Sequence, residues 1–429
     1  MTRKAFGRNI GLTTESSTLC PLGAEDNDPE RPVAESFGEG DKDYADSLAI
    51  SQGAPRNNNL QAGEVITKIE VIFESLFDCI INEKKCLVLH IKSRGGNGQQ
   101  TIDAASGAIR NTRNVETKEI TFPGKTQKEA WKFAALLRIL ELSHEALVTG
   151  IVTTKRDIYY RDPDLFIKQA IVDRYIDDLA FTLNIPRDAL NIVATAKGLL
   201  SGSLHIHKHD GQIVDCSSEN EGILVPNTKD ISHLSFPSCN WILVIEKEAT
   251  FRTLSTTHHA RTSRAGPGLL VTAKGYPDIA TRALLHLLSS TRGCPPIYVL
   301  TDYDPHGISI LSTYAHGSAS LAHQNDGLAV PGLRWLGVKL ESAVGTQIRQ
   351  DEDRGGEVPG ILTLTKRDRR LGRSMLMRHP AMGEVGEEEW RREVQCMLFL
   401  NLKAEIQVLG GGERLGRWVE GGIGGWAEV

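Results

Sequence analysis

Two adjacent tyrosines, Tyr159 and Tyr160, stand inside the charged segment Thr153-Thr154-Lys155-Arg156-Asp157-Ile158-Tyr159-Tyr160-Arg161-Asp162. A phenol ionises near pH ~10 and is a poor nucleophile at neutrality. A neighbouring guanidinium, or a metal-polarised phosphate, is what such an oxygen needs to attack a phosphodiester. The same pair on a short helix also reads as half core and half surface, so chemistry here calls for a second cluster.

That cluster lies downstream. Glu246 ends the apolar run Trp241-Ile242-Leu243-Val244-Ile245, and Asp302 and Asp304 follow Pro296-Ile297-Tyr298-Val299-Leu300. Side chains alternate along an extended segment, so Asp302 and Asp304 share a face. Carboxylates clustered without a cation repel one another and raise each other's pKa, and a hard divalent ion such as Mg²⁺ relieves this. Such a site positions a phosphodiester and stabilises charge on its leaving oxygen. Taken singly, each acid reads as the cap of a following helix, Asp304 before Pro305 above all. Three of them at the strand ends of one sheet favour a metal.

The elements that must position these groups can be read from pattern. Ile66, Ile69, Phe73, Leu76 and Ile80 recur at helical spacing and predict a helix beginning near Val65, followed by a short strand at Leu87–Ile91 and a loop over 93–118. Thr126-Gln127-Lys128-Glu129 predicts a reciprocal capping box opening a helix that runs to about Val148. Thr153 or Thr154 caps the tyrosine segment, and Asp162-Pro163 predicts the N-cap and first residue of a third helix carrying Leu165, Phe166, Ile171, Tyr175, Leu179 and Leu183. Asp210-Gly211 between Leu204–His207 and Ile213-Val214 predicts a hairpin. Helices followed by a hairpin spell a winged helix, a duplex-DNA-binding module. His205, His207 and His209 are read as solvent-facing wing residues without a metal role.

From Asn240 strands alternate with helices, which predicts a parallel sheet covered on both faces. Ligands of such sheets sit beyond the carboxyl ends of the strands, where all three acids fall. Lys366-Arg367-Asp368-Arg369-Arg370-Leu371-Gly372-Arg373 reads equally as a contact for a DNA backbone or as a solvated helix face. Residues Glu388–Val408 predict a packing helix, and Gly410–Gly425 is Gly-rich with little pattern.

Composition sets bounds. The chain has 429 residues, a net charge of −5 and 24% charged residues, so any DNA-binding surface must be local. Its seven scattered cysteines form no CxxC pair, which argues against a zinc site or a disulfide framework and fits a reducing compartment. No apolar run approaches the roughly 20 residues that span a bilayer, and no secretory signal is expected. The fold class expected is multi-domain α/β. A disordered tail is expected over 1–61, a winged-helix (CAP-like) domain carrying the tyrosine over 62–226, and an α/β metal-binding domain with a C-terminal helical segment over 236–429.

Several longer words extend the pattern: Ile120-Thr121-Phe122-Pro123-Gly124-Lys125, Lys155–Tyr160, Lys197-Gly198-Leu199, Val244–Phe251, Lys274-Gly275-Tyr276-Pro277-Asp278, Asp302–Gly307 and Arg334-Trp335-Leu336-Gly337. With these in order from about 64 to 408, the chain resembles the eukaryotic meiotic DNA double-strand-break proteins related to the A-type chain of topoisomerase VI. The resemblance implies a CAP-like winged helix followed by a Toprim domain. It implies that Tyr160 attacks DNA and stays linked to the 5′ phosphate, with Tyr159 a structural neighbour, Arg156 assisting the phosphate and Lys197 facing DNA. Glu246, Asp302 and Asp304 would hold Mg²⁺. It also implies a homodimer with composite active sites, one protomer's tyrosine meeting its partner's metal. The partners implied on nuclear chromosomes are a topoisomerase VI B-like protein and other break-forming proteins. No Walker A motif is visible, so ATP hydrolysis would need another polypeptide. The tail after Gly410 and the Asp351–Gly360 stretch depart from the family pattern. Two other readings stay open: a catalytically silent DNA-binding scaffold, and a Toprim nuclease that uses water.

Overall fold

Thr126 and Thr154 each start a helix by the same device, a side-chain oxygen that accepts a backbone N–H of the first turn. The computed structural model describes residues 58–94, 100–111, 115–193, 196–343, 360–382 and 387–425. Of the expected tail, 1–57 lies outside the described residues, as does 351–359 of the acidic, glycine-rich stretch. The first helix, Asn58–Ile81, begins before the expected Val65.

A helical core is built by Asn58–Ile81, Gln127–Thr149 and Gln169–Leu183, whose buried stripes include Val65, Ile69, Phe133, Leu136, Ile139, Val172, Ile176 and Leu179. Leu87–Lys92 pairs antiparallel with Thr117–Phe122 and packs on these helices. The stretch 93–118 is not a plain loop: Gln100–Ile102 and Ile109–Asn111 form a hairpin, and Thr117 already belongs to a strand.

Two local expectations need correction. Glu129 does not return to the Thr126 N–H. Its carboxylate instead accepts from the Thr121 and Lys125 backbone N–H groups and the Thr121 hydroxyl, tying the preceding strand to the helix. Asp162 caps nothing through its side chain; it binds Arg138 Nε at 2.6 Å. The expected third helix accordingly breaks into Pro163–Phe166 and Gln169–Leu183, separated at Ile167, whose φ is 61°.

The second core surrounds a six-stranded sheet. Gly268–Thr272, Trp241–Ile245, Ile297–Leu300 and Arg334–Gly337 run parallel in that spatial order, flanked by Leu199–Gly202 and Ile223–Leu224 in antiparallel pairing. The three central strands are buried at every position, which explains their unbroken apolar runs. Each fully buried Leu, Ile or Val contributes on the order of 2 kcal/mol.

The Asp-Gly hairpin forms as expected, His205–Lys208 against Ile213–Asp215, and gains a third strand, Ile231–Ser235. Leu199, Leu200, Leu204, Ile206 and Cys216 are buried in the second core, whereas the buried residues of the helical core end at Ile192. Gly412–Gly424, expected to lack pattern, is a helix with Leu415 and Val419 buried.

The hairpin Gln100–Asn111 is tied to the second core, Asn325 Nδ2 donating to Ile109 O at 2.9 Å and Gly107 O lying 2.8 Å from His316 Nδ1. Polar contacts join the two cores: Arg94, held by Asp178 at 2.7 Å, donates through Nη1 to Ser320 O at 3.3 Å, and Lys229 Nζ lies 2.7 Å from Asp188 Oδ2.

Candidate active site

The short helix Lys155–Arg161 is set by a full capping box, with Thr154 Oγ1 accepting from Asp157 N and Asp157 Oδ2 accepting from Thr154 N. On a helix, residues four apart share a face, which puts Arg156 beside Tyr160. The Arg156 guanidinium carbon lies 5.7 Å from the Tyr160 ring centroid. The nearby Tyr160 hydroxyl is the first cause that holds the guanidinium above its ordinary pKa. The opposite face is anchored by Ile158 and Lys155, both buried. Tyr159 packs on the helical core and meets Tyr160 edge-on at 5.3 Å. Tyr160 is 60% exposed, so of the two tyrosines it is the one that can reach a large ligand.

The acids gather at the carboxyl rim of the parallel sheet. Glu246 Oε2 accepts the Asp302 N–H at 2.9 Å, linking adjacent strand ends. Burial, and then the nearby Asp302 charge, push the Glu246 carboxyl up to about 8. Asp302 is also raised, by burial first, with partial relief from the Ile406 N–H at 2.8 Å and from Lys247. Asp304 caps helix Pro305–His316, its Oδ1 accepting from Gly307 N at 2.7 Å. The capping role is therefore real for Asp304, while Glu246 and Asp302 cap no helix.

Hard carboxylate oxygens around an under-compensated negative charge are the donor chemistry that suits Mg²⁺. Among the described residues, no three Asp, Glu, His or Cys side chains converge on one point as they stand. Lys247 Nζ instead sits 3.1 Å from Asp302 Oδ2.

Lys197 lies on the same rim. It is half-buried, with Nζ donating to Tyr276 O at 2.8 Å and Lys274 O at 3.3 Å, and its backbone N–H to Asp278 Oδ2. Tyr160 and Arg156 make no hydrogen bond to any of the three acids among the described residues; they stand on the other core.

Several rim residues were given no role from sequence, although Tyr276 and His306 lie in the words Lys274–Asp278 and Asp302–Gly307 that carry the resemblance. Tyr276 Oη lies 3.1 Å from His306 Nδ1, and His306 Nε2 lies 3.9 Å from Asp368 Oδ1. Asp368 opens helix Lys366–Arg378 through a capping box with Thr365, so the basic run starts beside the acids with Lys366, Arg367, Arg369, Arg370 and Arg373 exposed. The four-residue prefix shared with the tyrosine helix, Thr-Lys-Arg-Asp, is thus the sequence of a capping box in both places.

Comparison with known proteins places these features. A family model for the Toprim domain of Spo11 and of the A-type chain of topoisomerase 6 matches residues 241–413, and one described as "Type IIB DNA topoisomerase" matches residues 131–192. The meiotic recombination protein SPO11 of Mus musculus is 32% identical over 389 residues, covering 89% of this chain and 93% of its own. The chain belongs to the family of Spo11 and the topoisomerase 6 A-type chains. The family's meiotic recombination protein rec12 of Schizosaccharomyces pombe is 34% identical over 68% of this chain and 77% of its own. The A-type chain of DNA topoisomerase 6 from Arabidopsis thaliana is 30% identical over 69% of this chain and 66% of its own. Glu246, Asp302 and Asp304 fall inside the Toprim match of this Spo11-family chain, and Arg156 and Tyr160 inside the other.

Proposed function

We propose that this chain is a topoisomerase-like DNA transesterase that makes meiotic double-strand breaks and so initiates recombination on nuclear chromosomes. The observation that carries the reading is Tyr160, exposed, with the Arg156 guanidinium over its ring at 5.7 Å. A guanidinium so placed would lie beside the phosphate that the Tyr160 oxygen attacks and would offset the charge that builds there. The Tyr160 oxygen forms a bond to a backbone phosphorus as the bond to the 3′ oxygen breaks. The phenolic proton is lost, the departing oxygen gains one, and a 5′-phosphotyrosyl link and a 3′ hydroxyl remain. Glu246, Asp302 and Asp304 would hold Mg²⁺, which when bound supplies charge stabilisation at the phosphate.

The nucleophile and the acids belong to different cores, which suits a homodimer in which each tyrosine works with the partner's acids. The helical core, acting as the DNA-binding module in the manner of a winged helix, would present Tyr160 to duplex DNA. Lys197 and the exposed arginines of Lys366–Arg378 lie on the acid rim where they would meet the DNA backbone. A topoisomerase VI B-like protein and other break-forming proteins are the partners such a chain would use, and any ATP hydrolysis would be theirs.

The test is to incubate the protein, with the partners it requires, with duplex DNA and Mg²⁺, and to look for DNA covalently attached through Tyr160. Free ends still formed by Tyr160→Phe would mean a water-using nuclease. Binding without cleavage under every condition would mean a scaffold.

A further inference from the structure

The acid rim already contains a positive charge. Lys247 follows Glu246 directly, and its Nζ lies 3.1 Å from Asp302 Oδ2, 3.3 Å from Glu405 Oε2 and 2.8 Å from Gln407 Oε1. The side chain is 24% exposed, so this is a specific seat rather than a solvated surface pair. Two of the three oxygens come from one C-terminal segment whose position is fixed by the backbone. Leu402–Ala404 pairs with Ile361–Thr363, Tyr303 and Ala404 exchange both backbone hydrogen bonds, and Ile406 N donates to Asp302 Oδ1. Glu405 and Gln407 are thereby held beside the acids as a second place for the lysine ammonium.

We propose that Lys247 is a resident counter-ion of the acid centre, which releases Asp302 to an incoming divalent cation and is then kept by Glu405 and Gln407. The inference rests on the reading of Asp302 as a metal ligand. Asp302 Oδ2 cannot hold an ammonium and a divalent ion together without bringing two cations into close repulsion. Removing the ammonium altogether would leave Asp302 as a buried, unneutralised carboxylate whenever no ion is bound. A lysine with two seats meets both conditions: it neutralises the empty centre and has somewhere to go when the centre fills. Lys247 and Glu405 are on this account positioning residues, acting on the metal through Asp302.

The test needs neither DNA nor cleavage. Mn²⁺, an EPR-visible stand-in for Mg²⁺, is titrated into the full chain and the free ion is counted. Wild type is compared with Asp302→Asn, Lys247→Met, Lys247→Gln, Glu405→Gln and the Lys247→Met/Glu405→Gln pair, each checked for folding by circular dichroism. Lys247→Met and Lys247→Gln should both bind Mn²⁺ about tenfold more tightly, because the competing charge is gone. Glu405→Gln should weaken binding several-fold in the wild-type background and do nothing once Lys247 is Met. Unchanged or weaker binding in both lysine variants would overturn the proposal, as would an equal effect of Glu405→Gln in the two backgrounds, which would make Glu405 a ligand itself. Asp302→Asn separates the two levels of the argument. If it leaves Mn²⁺ binding intact, or if neither wild type nor the lysine variants bind, the acid centre is not the cation site; if it abolishes binding while the lysine variants behave as wild type, only the counter-ion role fails.

Discussion

Lys155, the first residue of the tyrosine helix, is tied to a buried ion cluster whose two signs should respond oppositely to mutation. Asp177 receives Arg94 Nη1 at 3.2 Å, Arg187 Nη1 at 3.2 Å and Lys155 Nζ at 3.4 Å, and its side chain is only 18% exposed. Lys155 also meets Asp173 at 3.4 Å, yet its ammonium is held below the ordinary lysine range. Burial is the largest cause, the Arg187 charge adds to it, and the two aspartates offset only part. The carboxylate is thus needed by three cations, whereas Lys155 loses more by leaving water than its partners return. Asp177→Ala leaves Lys155 with Asp173 and Arg94 with Asp178, but takes the carboxylate from Arg187. Breaking a buried pair from one side costs about 3–5 kcal/mol, and the remaining aspartates set the expected loss near the bottom of that range, about 3 kcal/mol. Lys155→Met keeps the aliphatic volume and removes the buried charge, so its effect should lie between neutral and about 1 kcal/mol stabilising. Urea denaturation followed by amide exchange across Gln169–Leu183 isolates this core. The Asp177 loss should also persist at high salt, since buried pairs are little screened. Equal destabilisation by the two variants, or a loss under about 1 kcal/mol for Asp177→Ala, would refute the reasoning.

Other outcomes follow from the same kind of geometry. Burial and the charge of His316 push His379 down to about 4, and Ala381 N donates to its Nδ1. Its folded pKa lies below the unfolded value of about 6.5, so the associated stability is full above pH ~6.5 and falls by about 3 kcal/mol as pH drops toward 4; thermal melts across that window should show a loss that His379→Asn reduces. A Cβ on Gly307 would lie 2.2 Å from Asp302 O, so Gly307→Ala must move the Asp304-capped helix off the strand end and should lower both stability and DNA cleavage. Arg156→Ala should slow formation of the covalent DNA complex about a hundredfold while leaving duplex affinity within a few-fold in a gel-shift assay, and Arg156→Lys should rescue little because the stacked, planar fork is lost.

Local chemistry was readable from the chain, whereas the choice of partner at a distance was not. Trp241–Ile245, Gly268–Thr272 and Ile297–Leu300 announce themselves because strands covered on both faces must be apolar throughout. The Asp210-Gly211 turn is equally local and forms as expected. Which core the hairpin joins depends on Leu199–Gly202 pairing with Leu269–Thr272, a long-range choice that no short pattern encodes. The Gly-rich C-terminus hid a helix for a different reason. Glycine is a poor helix former, so the run masks the helical pattern of Leu415 and Val419; only at Gly422 does a neighbour, Leu336, crowd the place of a Cβ, whereas Gly412 has open space.

The acids show why the same limit applies to a site. From sequence, capping and metal binding were competing readings of Asp304, but a carboxylate has two oxygens, and the cap uses Oδ1 alone. The two roles are compatible. What sequence could not supply was the environment of Asp302: one oxygen is fixed by Ile406 and the other faces Lys247, which Glu405 and Gln407 hold from a segment about a hundred residues away. A motif names the groups that can react, but the charge they carry is set by neighbours the motif does not contain. That is why the strongest expectation here, three acids awaiting a cation, meets a lysine already among them.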